Sequence, residues 1–282
     1  MKMNKSVIGV AAALAAILMV ASGCSSSGGS TESGTGATST AAVSTADQQS
    51  EGFEIKYPES LKEQFGESLK MEKTPERIIV MTAGPVMTLY EMGVDMVAIP
   101  NSSITEWPDD LEAERLPFGM NEIDMESIIA LKPDLVILSS TNKEKYGNTL
   151  ESQGIACYYV NAGPTVQYED IKTEVQILGE AFNKKEETDA IMKKFTDLET
   201  DMAAFKEKNG GKSVGILFSY PPSYMQGSGG YLGNMLEKLG YVNVSDKDGQ
   251  AVSNAQLSME DLIVANPDLL FAVSPTTKQV MI

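Results

Sequence analysis

Seven aromatic or thioether side chains fall where strand-like runs hand over to helix-like runs. They are Met87 in TAGPVM, Trp107 in NSSITEW, Met120 in PFGMNE, and Tyr220, Tyr224, Met225 and Tyr231 in SYPPSYMQGSGGY. Flat rings and polarisable sulfur suit a large planar or macrocyclic guest, and a Tyr or Met side chain can ligate haem iron. The competing account is packing, because Met and Tyr in loops commonly close a core. The chain contains no His, which excludes imidazole acid–base chemistry and His-ligated zinc. Of the two cysteines, Cys157 lies in the apolar run ACYYV and reads as a buried, inert thiol, since no His is present to activate it.

The other cysteine, Cys24, has a different setting. Lys2 and Lys5 precede an apolar run from Val7 to Val20, too short to span a bilayer comfortably and typical of a signal-peptide core. The run ends in ASGC, which resembles a lipobox, the pattern in which the peptide is cut before the Cys and its thiol is acylated. The alternative is an ordinary signal peptide with a chance Cys. Acylation places the mature chain on the extracytoplasmic face of a membrane, held by lipid. A net charge of −17 excludes nucleic acid as a partner, because phosphate binding needs a basic surface.

Positioning the seven side chains takes an alternating scaffold. Residues 25–50 are rich in Ser, Thr, Gly and Ala and read as a flexible tether. Order is expected from about Phe53. RIIVM, MVAIP, LVILSS and ACYYVN are short apolar strand runs separated by helical patterns such as GPVMTLYEMG, and SVGILFSY opens a second such series. Alternation of this kind favours parallel sheets covered by helices. Between the two series, Ile171, Val175, Leu178 and Phe182, then Ile191, Phe195, Leu198, Met202 and Phe205, recur at helical spacing. This predicts one long helix, bent near Asn183 and stopped by Asn209–Gly211.

One segment occurs twice, as DMESIIALKPDLVILSS at Asp124–Ser140 and SMEDLIVANPDLLFAVS at Ser258–Ser274. Each copy reads as a helix followed by a strand. Asp124 and Ser258 are N-cap residue types, and Glu126 and Glu260 fall in the first turn, where a carboxylate is favoured. Pro133 and Pro267 are expected to end the helices. Two equivalent helix–strand units imply two similar lobes.

The signal segment, the lipobox, PERIIVM, GMNEIDMESIIALKPDLVILSS, SVGILFSY and SMEDLIVANPDLLFAVS together resemble the iron-complex/cobalamin class of ABC-importer substrate-binding proteins. The resemblance runs from Phe53 to the last residue. It implies an α/β fold of two pseudosymmetric lobes with parallel sheets joined by one long helix, of the class III periplasmic-binding-protein type. Such a chain divides into a signal peptide at 1–23, a tether at 24–51, an N-terminal binding lobe at 52–166, the inter-lobe helix at 167–210 and a C-terminal binding lobe at 211–282. Family members continue beyond the second copy, so the C-lobe is expected to be incomplete.

The resemblance further implies a monomer with no intrinsic cofactor and no catalysis. Its ligand is haem, a ferric siderophore or cobalamin, held in a cleft between the lobes by the seven side chains, and its partners are an ABC permease dimer and its ATPase. Glu126 and Glu260 then dock on arginines of that permease. The cleft segments carry no Arg or Lys, which disfavours highly anionic catecholate siderophores. Among haem carriers of the family, the C-lobe His position corresponds to Gly229, and the N-lobe Met position to Leu89, with Met87 close by. Two alternatives stand beside this. A two-lobed metallocluster enzyme needs several cluster-ligating Cys, which one free Cys cannot supply. A surface lipoprotein with a shortened, non-binding C-lobe is the other. The lipobox reading makes a direct prediction: Cys24→Ser releases the protein from membranes in cell fractionation, and equal retention of the variant contradicts acylation.

Overall fold

In the computed structural model the described residues are 52–273, apart from 103–104, 118–122, 164, 220–221 and 257. Residues 1–51, Cys24 included, lie outside the described residues.

A small flap comes first. Strand β1 (Phe53–Lys56) pairs antiparallel with β2 (Ser68–Met71) across α1 (Glu59–Phe65). Aromatic rings fix it to the lobe beneath, with Tyr57 stacked on Tyr158 at 4.8 Å and Phe65 on Tyr159 at 4.6 Å.

The N-lobe then follows its predicted alternation. Its elements are β3 (Ile78–Val80), α2 (Ala83–Glu91), β4 (Ala98–Pro100), β5 (Glu114–Leu116), α3 (Met125–Ala130), β6 (Leu135–Ser139), α4 (Asn148–Ser152) and β7 (Ala156–Val160). The strands form one parallel sheet in the order β5-β4-β3-β6-β7. All of β6 is buried, which is why its sequence is an unbroken apolar run.

The segment expected to be one bent helix is two helices, α5 (Tyr168–Ala181) and α6 (Lys185–Asn209). Asn183 takes φ 53° between them, a left-handed value that Asn tolerates. The helices meet at Gly179, where an added Cβ would lie 1.8 Å from Thr188 Oγ1, so this contact requires glycine. Helix α6 has 25 residues, roughly 37 Å at the usual helical rise.

The C-lobe comprises β8 (Ser213–Phe218), β9 (Tyr224–Gln226), α7 (Tyr231–Lys238), β10 (Val242–Asn243), β11 (Asn254–Gln256), α8 (Met259–Ala265) and β12 (Leu269–Val273). Its sheet is mixed, not parallel throughout. β10 and β12 run parallel to β8, whereas β9 is antiparallel to β8 and β11 to β9. The physical reason is length, because the short link between β8 and β9 cannot hold a crossover helix and permits only an antiparallel return.

The two sequence copies are the units α3–β6 and α8–β12. Asp124 Oδ1 accepts from Ser127 N at 3.1 Å, and Ser258 Oγ from Asp261 N at 3.1 Å, so both N-caps form. The helices stop at Ala130 and Ala265, before the prolines. Lys132 and Asn266, at equivalent steps, take φ 49° and 40°, and the proline follows that turn. Asp134 then accepts from Glu76 N at 2.8 Å and Arg77 N at 2.9 Å, just ahead of β3. Asp268 Oδ2 accepts from Ser213 N at 2.7 Å and Ser213 Oγ at 2.9 Å, at the start of β8. In each lobe the repeated Asp therefore anchors the first residues of the central strand.

The lobes differ in how much they bury. The N-lobe core runs through β3, β4, β6 and β7 and the inner faces of α2 and α5. Among the described residues the C-lobe core centres on Val214, Ile216 and Leu236, while Leu270 of β12 is 53% exposed and Val264 of α8 is 80% exposed. Local opening costs least where little apolar surface is buried. Amides of β8 and β12 should therefore exchange with solvent faster than those of β6 and β7. Equal protection in mass-spectrometric hydrogen exchange contradicts this.

Candidate ligand-binding site

The predicted side chains occupy different settings. Trp107 is half-buried against the N-lobe core, and its Nε1–H donates to Pro100 O at 3.1 Å, closing the chain after β4. Met87 lies on α2 and lines an apolar groove of about 330 Å³ between α2, α5 and α6, with Val175, Ile191 and Phe195. In the C-lobe, Tyr224 stacks on Phe218 with ring centres 5.0 Å apart. Met225 is buried and lines a C-lobe cavity of about 200 Å³ with Leu262 and Ala265. Tyr231, the first residue of α7, is 44% exposed. Met120 and Tyr220 lie outside the described residues. Each of these two cavities is confined to one side of the molecule: Met87 faces α5 and α6, and Met225 the C-lobe interior.

The glycine-rich segment before Tyr231 is a firmly held turn. Gln226, 1% exposed, places Oε1 3.0 Å from Leu232 N and 3.3 Å from Gly233 N, capping α7. Its amide lies so close to Gly230 that an added Cβ there would meet Gln226 Cδ at 2.4 Å. Asp246 Oδ1 accepts from Ser228 N at 2.9 Å and Val252 N at 3.1 Å, and Ser253 Oγ donates to Gly229 O at 3.1 Å. Asn243 Nδ2 donates to Gln226 O at 2.9 Å. These bonds hold the backbone of the turn and present Tyr231 at a fixed place, although the Nε2 of buried Gln226 finds no acceptor among the described residues. The sequence signal was a Gln five residues before an aromatic helix start. Its capping role depends on the turn that folds back between them.

Among the described residues no cluster of three or more His, Cys, Asp or Glu gathers to hold a metal ion. Cys157 is buried, and burial pushes its thiol up to about 12, so it is an inert core residue. Glu126 and Glu260 are both exposed, in the first turns of α3 and α8.

One acid was not anticipated. Glu174 on α5 turns its carboxyl group inward beside Gly84, the second residue of α2, with Oε1 3.7 Å from where a Gly84 Cβ would lie. It also borders a cavity of about 30 Å³ with Tyr158, Asn161 and Asp170, room for about one water. Burial, with Asp170 adding to it, pushes this carboxyl up to about 8. A carboxyl raised on folding keeps its proton while the unfolded chain loses it. Its contribution is therefore fully present below about 4.5 and lost as pH rises towards about 8. The loss is at most about 1.4 kcal/mol per pH unit. Glu174→Gln should flatten the fall of Tm across this window and leave the variant the more stable protein at pH 9. Parallel Tm-against-pH curves contradict the assignment.

The described geometry is that of a two-lobed α/β protein with a long helix between the lobes and a rigid aromatic-tipped loop at the start of α7. The chain belongs to the periplasmic binding protein family, whose sequence profile matches residues 78–281. It is 22% identical over 225 residues to the ABC transporter substrate-binding lipoprotein YvrC of Bacillus subtilis, covering 76% of this chain and 68% of that protein. It is 24% identical over 193 residues to the vitamin B12-binding protein of Salmonella typhi, covering 68% and 70%. The crystal structure of the petrobactin-binding protein YclQ of Bacillus subtilis superposes with a TM-score of 0.65 at 21% identity, covering 80% of this chain and 78% of that one. These relatives are named for substrate binding in an ABC transporter, for vitamin B12 binding and for petrobactin binding.

Proposed function

We propose that this protein is the extracytoplasmic, lipid-anchored binding component of an ABC importer. It captures haem, a ferric siderophore or cobalamin between its lobes and delivers the complex to the permease. The observation that carries the reading is the pairing of two equivalent helix–strand units, one per lobe, within a family of binding proteins. Relatives that bind petrobactin and vitamin B12 support a large metal complex as the ligand class. So do the aromatic Trp107, Tyr224 and Tyr231 and the absence of Arg and Lys from the loops that carry them.

Haem iron bound here takes no imidazole from this chain, which has none. Tyr231, exposed on a rigid turn, is the candidate ligand first in order, followed by Tyr224, whereas Met87 and Met225 face the α5–α6 groove and the C-lobe interior. Absorbance titration with hemin and cyanocobalamin, and fluorescence titration with ferric siderophores, tests the reading. Saturable binding of one of them is expected, and no response to any of the three classes overturns it.

The role of the paired acids is also open to test. Exposed rim charges chiefly steer docking and fix register, so Glu126 and Glu260 are assigned to the permease contact. Glu126→Arg with Glu260→Arg should leave ligand affinity within about twofold while abolishing ligand-stimulated ATPase in a reconstituted importer, since exposed sites away from the ligand couple weakly to it. Normal stimulation by the double variant leaves both acids as helix N-terminal residues only, worth about 0.3–1 kcal/mol each.

A further inference from the structure

Helix α7 has two ends with different attachments. Its first turn is tied to the turn that carries Tyr231, through Gln226 Oε1 and through Asn234 N, which donates to Gly230 O at 2.8 Å. Its body is tied to the other lobe. Asn234, 8% exposed, accepts at Oδ1 from Tyr168 N at 3.1 Å. Tyr168 is the first residue of α5, so a side chain from the C-lobe caps a helix that packs on the N-lobe. One turn further along α7, Lys238 Nζ donates to Glu169 Oε1 at 2.8 Å and stands 4.8 Å from the Tyr168 ring centre.

The same point of α5 is fixed to α6. The Tyr168 ring packs edge-on against Phe195 of α6 at 5.6 Å. Lys172 bridges Glu169 at 3.4 Å and Glu199 of α6 at 2.6 Å. Three helices from different parts of the fold thus converge on Tyr168. Most of these contacts are exposed ion pairs, which are individually weak. The Asn234–Tyr168 bond differs, because it is buried and satisfies an N–H at a helix start that has no intrahelical acceptor.

We infer that Asn234 is a positioning residue that sets the angle between the lobes, by capping α5 from α7, and so fixes where the Tyr231 turn stands relative to the N-lobe. The inference rests on the two-lobed binding reading, but it concerns the ligand-free protein and is tested there. Replacing the acceptor leaves Tyr168 N–H buried without a partner, and water entry or a tilt of α7 relieves that cost. If such a tilt leaves about one molecule in ten at the original angle, the apparent Kd for ligand weakens about tenfold.

The test is pulsed electron paramagnetic resonance on the full chain without ligand. Spin labels go on Thr149→Cys in the N-lobe and Val242→Cys in the C-lobe, both exposed positions. With Cys24→Ser, Cys157 is the one native cysteine left in the sequence, and it is buried and resists labelling. The parent should give one narrow distance distribution. Asn234→Leu should broaden it or add a second distance, and Asn234→Asp, which keeps the acceptor at a helix N-terminus where negative charge is favoured, should restore it. A parent-like distribution in a folded Asn234→Leu protein overturns the inference, as does failure of Asn234→Asp to differ from Asn234→Leu. Should Asn234→Leu not fold, the smaller Asn234→Ala, which also removes the acceptor, carries the test, with the same broadening expected and an unchanged distribution contradicting the inference. Absence of binding to hemin, cobalamin and siderophores sinks the ligand reading alone and leaves these distances to decide the junction.

Discussion

An aspartate carboxylate holds the start of the central strand in each lobe. Asp134 accepts from the backbone N–H groups of Glu76 and Arg77, and Asp268 from the backbone N–H and the hydroxyl O–H of Ser213. Charge-assisted bonds of this kind are worth more than neutral ones, and hydrogen bonding to Ser213 holds the Asp268 carboxyl below the usual range. The rest of the lobe depends on this placement. β3 and β8 are the strands against which β6 and β12 pair, and those strands are the second halves of the repeated units. The left-handed residue and the proline before each Asp turn the chain out of its helix so that the carboxylate reaches back to a distant strand. The same device used twice makes the molecule pseudosymmetric, and pseudosymmetry gives each lobe an exposed Glu in an equivalent place.

The lobes are not equal in their burial. The N-lobe sheet is parallel and enclosed, whereas the C-lobe has two antiparallel strands and a small core. Its rigidity is concentrated instead in polar contacts around Gln226, Asn243 and Asp246. Those contacts stiffen one turn and one helix, and that helix is the element joined to α5. A binding protein needs a loop that holds its shape while the lobes adjust, and a hydrogen-bonded turn supplies this without a large apolar core.

Much of this architecture was legible in the residues. The strands of the N-lobe announce themselves as apolar runs, and the N-caps Asp124 and Ser258 could be read from residue type and position. The anchoring role of Asp134 and Asp268 could not, although both lie in the repeat, because their partners are more than fifty positions away and only the folded chain brings them together. Strand β9 has no signal in the sequence and looks like part of a loop there, since three residues are too few to show a period. The break between α5 and α6 has a local signal in Asn183, but the close approach of Gly179 to Thr188 that accompanies it is tertiary. For the site, residue type and position single out Tyr231 as a candidate cleft residue, and the fold places it, exposed, at the start of α7. Residue type could not reveal that Met87 faces the groove beside α6, because the rotation of a helix about its axis is set by packing.

The central claim is that one ligand engages both lobes at once. Hydrogen exchange of the full chain, with and without saturating hemin or cyanocobalamin, whichever binds, addresses it most directly. The account predicts slowed exchange in the N-lobe at 82–87 and in the C-lobe at 227–231 in the same sample. Protection confined to one lobe contradicts it and places the ligand elsewhere on the molecule.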